Sequence, residues 1–136
     1  MYNLLTMHQE ADQTTMNRTV LLIEDSEQLR HMFSLVLRVD GYTVLEAATG
    51  SEGLALLQQN TPDHILLDML LPNISGEELL RYIYSAPHLQ HSQLIVVTAH
   101  ESFQSIPLRE GDVFLLKPVT GRELREVIQS SITPTS

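Results

Sequence analysis

The sequence contains no cysteine, so neither a disulfide framework nor a thiolate metal site is available to it. No apolar run approaches the ~18 residues of a membrane span. The first residues, Met1–Asn17, lack the apolar centre of a secretory leader and carry Glu10 and Asp12. Basic runs are missing too: 8 Lys and Arg stand against 17 Asp and Glu, a net charge of −9. Phosphate backbones are held by Lys/Arg surfaces, so neither direct nucleic-acid binding nor a membrane partner is expected. These absences fit a reducing compartment, and the cytoplasm is the expected location. What the 136 residues do have is a 43% hydrophobic content. That suits one domain burying about two-thirds of its unfolded surface.

The apolar residues come in short runs, and the residues that end those runs carry the chemistry. Val20–Ile23 ends in Glu24-Asp25, Ile65–Leu67 in Asp68, Leu94–Val97 in Thr98, and Val113–Leu116 in Lys117-Pro118. Short β-branched runs between helical patterns read as strands of a parallel sheet buried on both faces. Ligands in such sheets bind at the carboxyl ends of the strands. Three carboxylates, one hydroxyl and one ammonium should therefore meet on one sheet edge. The acids suit a divalent cation, and the Lys and Thr suit an anion beside it.

Along the chain, Met1–Arg18 reads as a polar tail, with Met16 a plausible functional start, residues 19–132 as the domain, and 133–136 as a second tail. Strands are expected at Thr19–Glu24, Tyr42–Glu46, Asp63–Asp68, Gln93–Thr98 and Asp112–Leu116. Ser26 caps the first helix, whose stripe is Leu29, Met32, Phe33, Val36 and Leu37, and Gly41 stops it. Thr49 with Glu52 forms a capping box for the second helix, whose buried face takes Leu54, Leu57 and Ala55. Leu71–Gly76 reads as a loop, and Glu77–Ser85 as the third helix, broken at Ala86-Pro87. Pro107 sits inside Ala99–Glu110, so helix four should be short or irregular. Thr120 with Glu123 caps the last helix, with Leu124, Val127, Ile128 and Ile132 buried. Strand–helix alternation implies an α/β fold, a five-stranded parallel sheet with helices on both faces.

The ordered set Glu24-Asp25, Asp68, Thr98 and Lys117-Pro118 resembles the receiver domain of two-component response regulators. So does Asp68-Met69-Leu70-Leu71-Pro72-Asn73-Ile74-Ser75-Gly76, with Pro four and Gly eight residues after the Asp. The resemblance runs from about Thr19 to Ile132. It implies a flavodoxin-like, CheY-like doubly wound sheet of order 2-1-3-4-5. It also implies a phosphoacceptor at Asp68, loaded by a histidine kinase or a histidine phosphotransfer protein. Mg2+ would be the cofactor, with Asp25 and Asp68 as direct ligands, Glu24 acting through water, and the backbone carbonyl of Leu70 completing the set. Lys117, after which a cis peptide is implied, and Thr98 would contact the phosphoryl oxygens. The chain would be a phosphorylated switch rather than a conventional enzyme. It would signal through an unidentified downstream protein, as a monomer or a phosphorylation-dependent dimer, either standing alone or as part of a longer regulator.

Three features depart from the family pattern. Phe114 stands at the switch position, where the family has Tyr or Phe, and without a hydroxyl it is expected to face inward even before phosphorylation. Thr98 and Lys117 lie 19 positions apart, closer than is usual in the family, and the deficit falls in Ala99–Glu110. Leu70 and His100, two residues beyond Asp68 and Thr98, are expected to modulate attack of water on the acyl phosphate. Taken singly, each site residue has an ordinary structural role: a solvated strand end for Glu24-Asp25, a cap for Asp68, a strand residue in Thr98, a solvated charge in Lys117. Two rival readings follow, a pseudo-receiver scaffold that is never phosphorylated and an aspartyl-nucleophile hydrolase. The remaining histidines, His8, His31, His64, His88 and His91, show no metal-ligand spacing.

Overall fold

The computed structural model describes residues 18–130; of the expected tails only Arg18 is among them, and Met1–Asn17, Ile132 and residues 133–136 lie outside. Five parallel strands form one sheet: β1 Thr19–Ile23, β2 Thr43–Ala47, β3 His64–Leu67, β4 Gln93–Thr98 and β5 Val113–Leu116, in the order β2-β1-β3-β4-β5. Register runs Val20↔Val44, Val20↔His64, Ile65↔Leu94 and Ile95↔Val113. Among the described residues four α-helices connect or follow the strands: α1 Glu27–Val39, α2 Gly50–Gln59, α3 Gly76–Ser85 and α4 Gly121–Ser130.

Strand alternation divides the core into two layers. Leu21, Ile23, Ile65, Leu67, Leu94 and Val96 face Leu57 of α2 and Leu79, Leu80 and Ile83 of α3. Val20, Leu22, Leu66, Ile95 and Val97 face Phe33 and Leu37 of α1 and Leu124 and Ile128 of α4. In α2 the buried positions are Gly50, Gly53 and Leu57, with Leu54 and Leu56 half-buried. Ala55 points to solvent, against the sequence expectation, because Leu56 occupies the flank nearer the core.

Helix starts follow the capping chemistry. Ser26 Oγ accepts from Leu29 N at 3.3 Å, Thr49 Oγ1 from Glu52 N at 3.1 Å, and Thr120 Oγ1 from Glu123 N at 3.1 Å. Glu52 reaches back to the Ala48 N–H rather than to that of Thr49. Ser75, taken from sequence as loop, caps α3 by accepting from Glu78 N at 3.2 Å. Gly41 ends α1 with a φ of 97°.

The fourth crossover contains no α-helix. Its ordered part is a 3-10 turn, Glu101–Ser105, whose last residue lies two positions before Pro107. Phe103, Ile106 and Leu108 give it partial cover over the core. Its far end is tied by Arg109, which lies 4.4 Å over the Tyr84 ring and donates from Nε to Asp112 Oδ2 (2.8 Å) and from Nη2 to the Ser92 carbonyl (2.8 Å). Tyr84 Oη donates to Asp112 Oδ2 at 2.9 Å and accepts from Arg109 N at 3.0 Å. With a single turn as cover, and at the sheet edge, β5 is half-buried over Val113–Leu115 and exposed at Leu116, whereas β4 beside it is buried from Leu94 to Thr98. No described helix is long and apolar enough to cross a membrane.

Candidate functional site

Strands β1, β3, β4 and β5 all end at the same sheet edge, and Thr98, the last residue of β4, joins the residues that follow the other three to supply the site. Glu24 N bonds to Ala47 O (3.0 Å) and Asp68 N to Ile23 O (3.1 Å), so both acids are held at the last rung of the ladder. Glu24 and Asp68 are buried, 2% and 6% exposed, while Asp25 faces solvent. One carboxylate oxygen from each of Glu24, Asp25 and Asp68 lies within 4.8 Å of the other two.

Lys117 lies between the two buried acids. Its Nζ is 2.7 Å from Glu24 Oε1 and 3.0 Å from Asp68 Oδ2. Burial alone would lower the Lys117 pKa; hydrogen bonds to Glu24 and Asp68 and their negative charge outweigh it and hold the ammonium above its ordinary range. Burial pushes Glu24 the other way for an acid, raising its pKa with help from the Asp68 charge. Lys117 and the Ser26 N–H, which donates to Glu24 Oε2 at 3.0 Å, oppose that rise. The peptide bond from Lys117 to Pro118 is cis.

The other sequence candidates surround this centre. Thr98 is fully buried, and its carbonyl accepts from Lys117 N at 2.8 Å, which joins the ends of β4 and β5. Its Oγ1 sits 3.5 Å from His100 N. The Leu70 N–H donates to Asp68 Oδ1 at 3.2 Å, leaving the side chain 47% exposed. His100 is exposed with its ring edge-on to Phe103 at 6.3 Å. Phe114 is partly buried and packs against the α2/α3-side core.

Two residues support the site in ways that the sequence did not show. Gly76 N donates to Met69 O at 3.1 Å, and a Cβ at Gly76 would lie 2.3 Å from Met69 Cα and 2.7 Å from Asp68 O. Only a residue without a side chain lets α3 start this close to the phosphoacceptor candidate. Arg30, on α1 five residues after Asp25, donates from Nη1 to the Glu24 carbonyl at 2.9 Å. Neither carries a sequence signal beyond the glycine of the loop and a polar position on an amphipathic helix.

Three carboxylate oxygens at this separation, two of them buried and compensated by one amine, are a hard-oxygen donor set of the kind that suits a small divalent cation. The family profile described as "Response regulator receiver domain" matches residues 20–129. The chain is 30% identical over 118 residues to the polar-differentiation response regulator DivK of Brucella ovis, covering 85% of this chain and 96% of that protein. It is 38% identical over 109 residues to the transcriptional regulatory protein AfsQ1 of Streptomyces coelicolor, covering 78% of this chain and 47% of AfsQ1, about half that relative's length. Among solved structures it is similar to the chemotaxis response regulator CheY4 of Vibrio cholerae, at 29% identity and a TM-score of 0.75 over 86% of this chain and 99% of that one. It is also similar to the response regulator protein TrrA of Thermotoga maritima in complex with Mg2+ and BeF, at 25% identity and a TM-score of 0.73 over 84% and 98% of the two chains. By profile, sequence and fold together, the chain belongs to the response regulator receiver domain family of two-component signalling.

Proposed function

We propose that this receiver domain takes a phosphoryl group on Asp68 and works as a switch or relay in two-component signalling. The observation that carries the reading is Asp68 itself: a buried carboxylate with Lys117 Nζ 3.0 Å from one oxygen and the Leu70 N–H 3.2 Å from the other. A phosphohistidine on a histidine kinase or histidine phosphotransfer protein is the donor. An Asp68 oxygen attacks phosphorus and forms the new P–O bond. The P–N bond to the donor imidazole breaks, and the electron pair leaves on that nitrogen, which takes up a proton.

Asp25, Asp68 and the Leu70 carbonyl would hold Mg2+, with Glu24 one step removed. Glu24 is held more closely than Asp68, by Lys117 at 2.7 Å and the Ser26 N–H at 3.0 Å against 3.0 and 3.2 Å for the two Asp68 oxygens, which supports that indirect role. When bound, the cation supplies positive charge against the phosphoryl oxygens. Lys117 provides a second positive charge and orients Asp68. Thr98, fully buried beside Lys117, offers a hydroxyl donor to a phosphoryl oxygen, and Phe114 reports its movement through the core it packs against. Leu70 and His100 border the site from the β3 and β4 loops and set access of water to the acyl phosphate. The domain acts in the cytoplasm through protein contacts, not as a conventional enzyme.

The test is incubation with acetyl phosphate and Mg2+, read by intact mass. A single phosphoadduct, absent in Asp68→Asn, is expected. Absence of any adduct from acetyl phosphate or a phosphorylated kinase would leave the non-phosphorylated scaffold as the function. Leu70→Asn should then shorten or lengthen the adduct's lifetime; an unchanged decay rate removes Leu70 from the modulating role.

A further inference from the structure

Beyond the acids and Lys117, the geometry points to Arg30 as a positioning residue that sets the aim of the Glu24–Asp25 pair and thereby the affinity for the divalent cation. This rests on the receiver reading above. The hydrogen-bonded rungs of β1 end at Glu24 N–H, which bonds to Ala47 O. The next carbonyl, that of Glu24, belongs to the peptide plane joining the two acids. Arg30 Nη1 donates to it at 2.9 Å. A peptide plane held by its oxygen fixes ψ of Glu24 and φ of Asp25 together, and so the direction in which each carboxylate leaves the backbone.

Arg30 is itself braced. Its Nε lies 3.4 Å from Glu46 Oε1. Glu46 in turn accepts from Ser34 Oγ at 3.0 Å and pairs with Arg38 Nη2 at 3.5 Å. Arg38 bonds to Ser34 Oγ (2.9 Å) and to the Val44 carbonyl (3.0 Å). The chain of contacts thus runs from α1 to β2 and back to the turn that carries the acids. The Arg30 side chain is only 18% exposed, so it loses little further freedom on making these bonds.

The sign of the effect distinguishes this role from simple electrostatics. Arg30 is a cation near a cation site. Removing its charge should, by Coulomb's law alone, tighten binding of a metal ion, and Glu46 beside it makes that effect small. Loss of a positioning contact works in the opposite direction. Partners of metal ligands typically contribute about tenfold or more to affinity.

The experiment is calorimetric titration of the full chain with MgCl2 and no phosphodonor, for wild type, Arg30→Met, Arg30→Gln, Arg30→Lys and Asp25→Asn. We expect Mg2+ binding to weaken about tenfold in the two neutral variants and to return to within about threefold of wild type in Arg30→Lys. Recovery by a residue that restores charge of the repelling sign has no electrostatic explanation. Thermal melts identify folded variants; Arg30→Gln carries the comparison if Arg30→Met does not fold. Equal or tighter binding in a folded neutral variant, or no recovery with Lys, overturns the role of Arg30 while Asp68 labelling still stands. Mg2+ binding absent from wild type, or unaffected by Asp25→Asn, overturns the cation site and this inference with it.

Discussion

Replacing Lys117 by Met tests the balance of charge on which the site depends. The methionine keeps most of the apolar stem and removes the ammonium. In the native protein that ammonium lies 2.7 Å from Glu24 and 3.0 Å from Asp68, whose side chains are only 3% and 7% exposed. Without it, two buried carboxylates face each other and the exposed Asp25 with no cation between them. Breaking a buried pair from one side costs about 3–5 kcal/mol, a fall in Tm of roughly 10–20 °C for a domain of this size. The pH dependence has a definite sign. Lys117 is held above its ordinary value of 10.5, so its stabilisation is complete below that pH and disappears only as pH rises through the higher native value. Throughout the neutral range the deficit of Lys117→Met should therefore be at full size. Urea denaturation with and without Mg2+ measures it. Because the variant's acids are uncompensated, a divalent cation should stabilise it by more than it stabilises wild type. A Lys117→Met protein within about 0.5 kcal/mol of wild type, the range of ordinary surface substitutions, or one that gains less from Mg2+, would refute the reasoning.

Further expectations follow from the surrounding structure. Gly76→Ala drives a Cβ onto Met69 Cα and Asp68 O, atoms of the backbone that cannot turn aside; a loss of about 1–3 kcal/mol or more is expected, with slower labelling of Asp68. A thermal melt within a degree of wild type would contradict it. His64, buried with Nδ1 2.7 Å from Gln93 Oε1 and the Tyr42 ring edge-on at 5.8 Å, has its pKa lowered by burial, with Arg18 adding to the effect and Gln93 and Asp63 opposing it. The neutral ring's contribution is present above the ordinary value of 6.5 and is lost as pH falls through the lower native value. Stability of His64→Leu should accordingly fall less than that of wild type between pH 7 and 5; parallel pH profiles would reject the assignment. Tyr84→Phe removes both the donor to Asp112 and the acceptor for Arg109 N. It should cost about 1–3 kcal/mol and speed hydrogen exchange at the Arg109 amide, and unchanged exchange there would argue against the tie.

What could be read from the sequence was whatever short-range chemistry decides. The strand ends at Glu24, Asp68, Thr98 and Lys117 were legible because a continuous apolar run stops where the chain must leave a buried sheet. Parallel topology then puts all such stops on one edge. Ser26, Thr49 and Thr120 were legible because a cap is satisfied within three residues. Ser75 follows the same rule, but Pro72 and Gly76 on either side marked its neighbourhood as loop and hid it. Ala55 was misplaced because Leu54, Ala55, Leu56 and Leu57 are consecutive apolar residues, and no period selects among four in a row.

The fourth crossover shows where such reading stops. Pro107 and the short interval before Lys117 exclude a regular helix, and a 3-10 turn is what remains. What holds that segment in place is not local. Arg109 reaches the Ser92 carbonyl and the Tyr84 ring, and Asp112 accepts from Leu94 N at 2.8 Å. These contacts span 17 to 25 residues of sequence and arise only once α3 and β4 are in place. Arg30 is hidden for a different reason: its partner, the Glu24 carbonyl, is only six residues away but is a backbone atom that no side-chain pattern marks. Sequence motifs record which groups act on a ligand. The groups that aim them bond to the main chain, and main-chain atoms are alike at every position, so that second layer becomes visible only when the chain is folded.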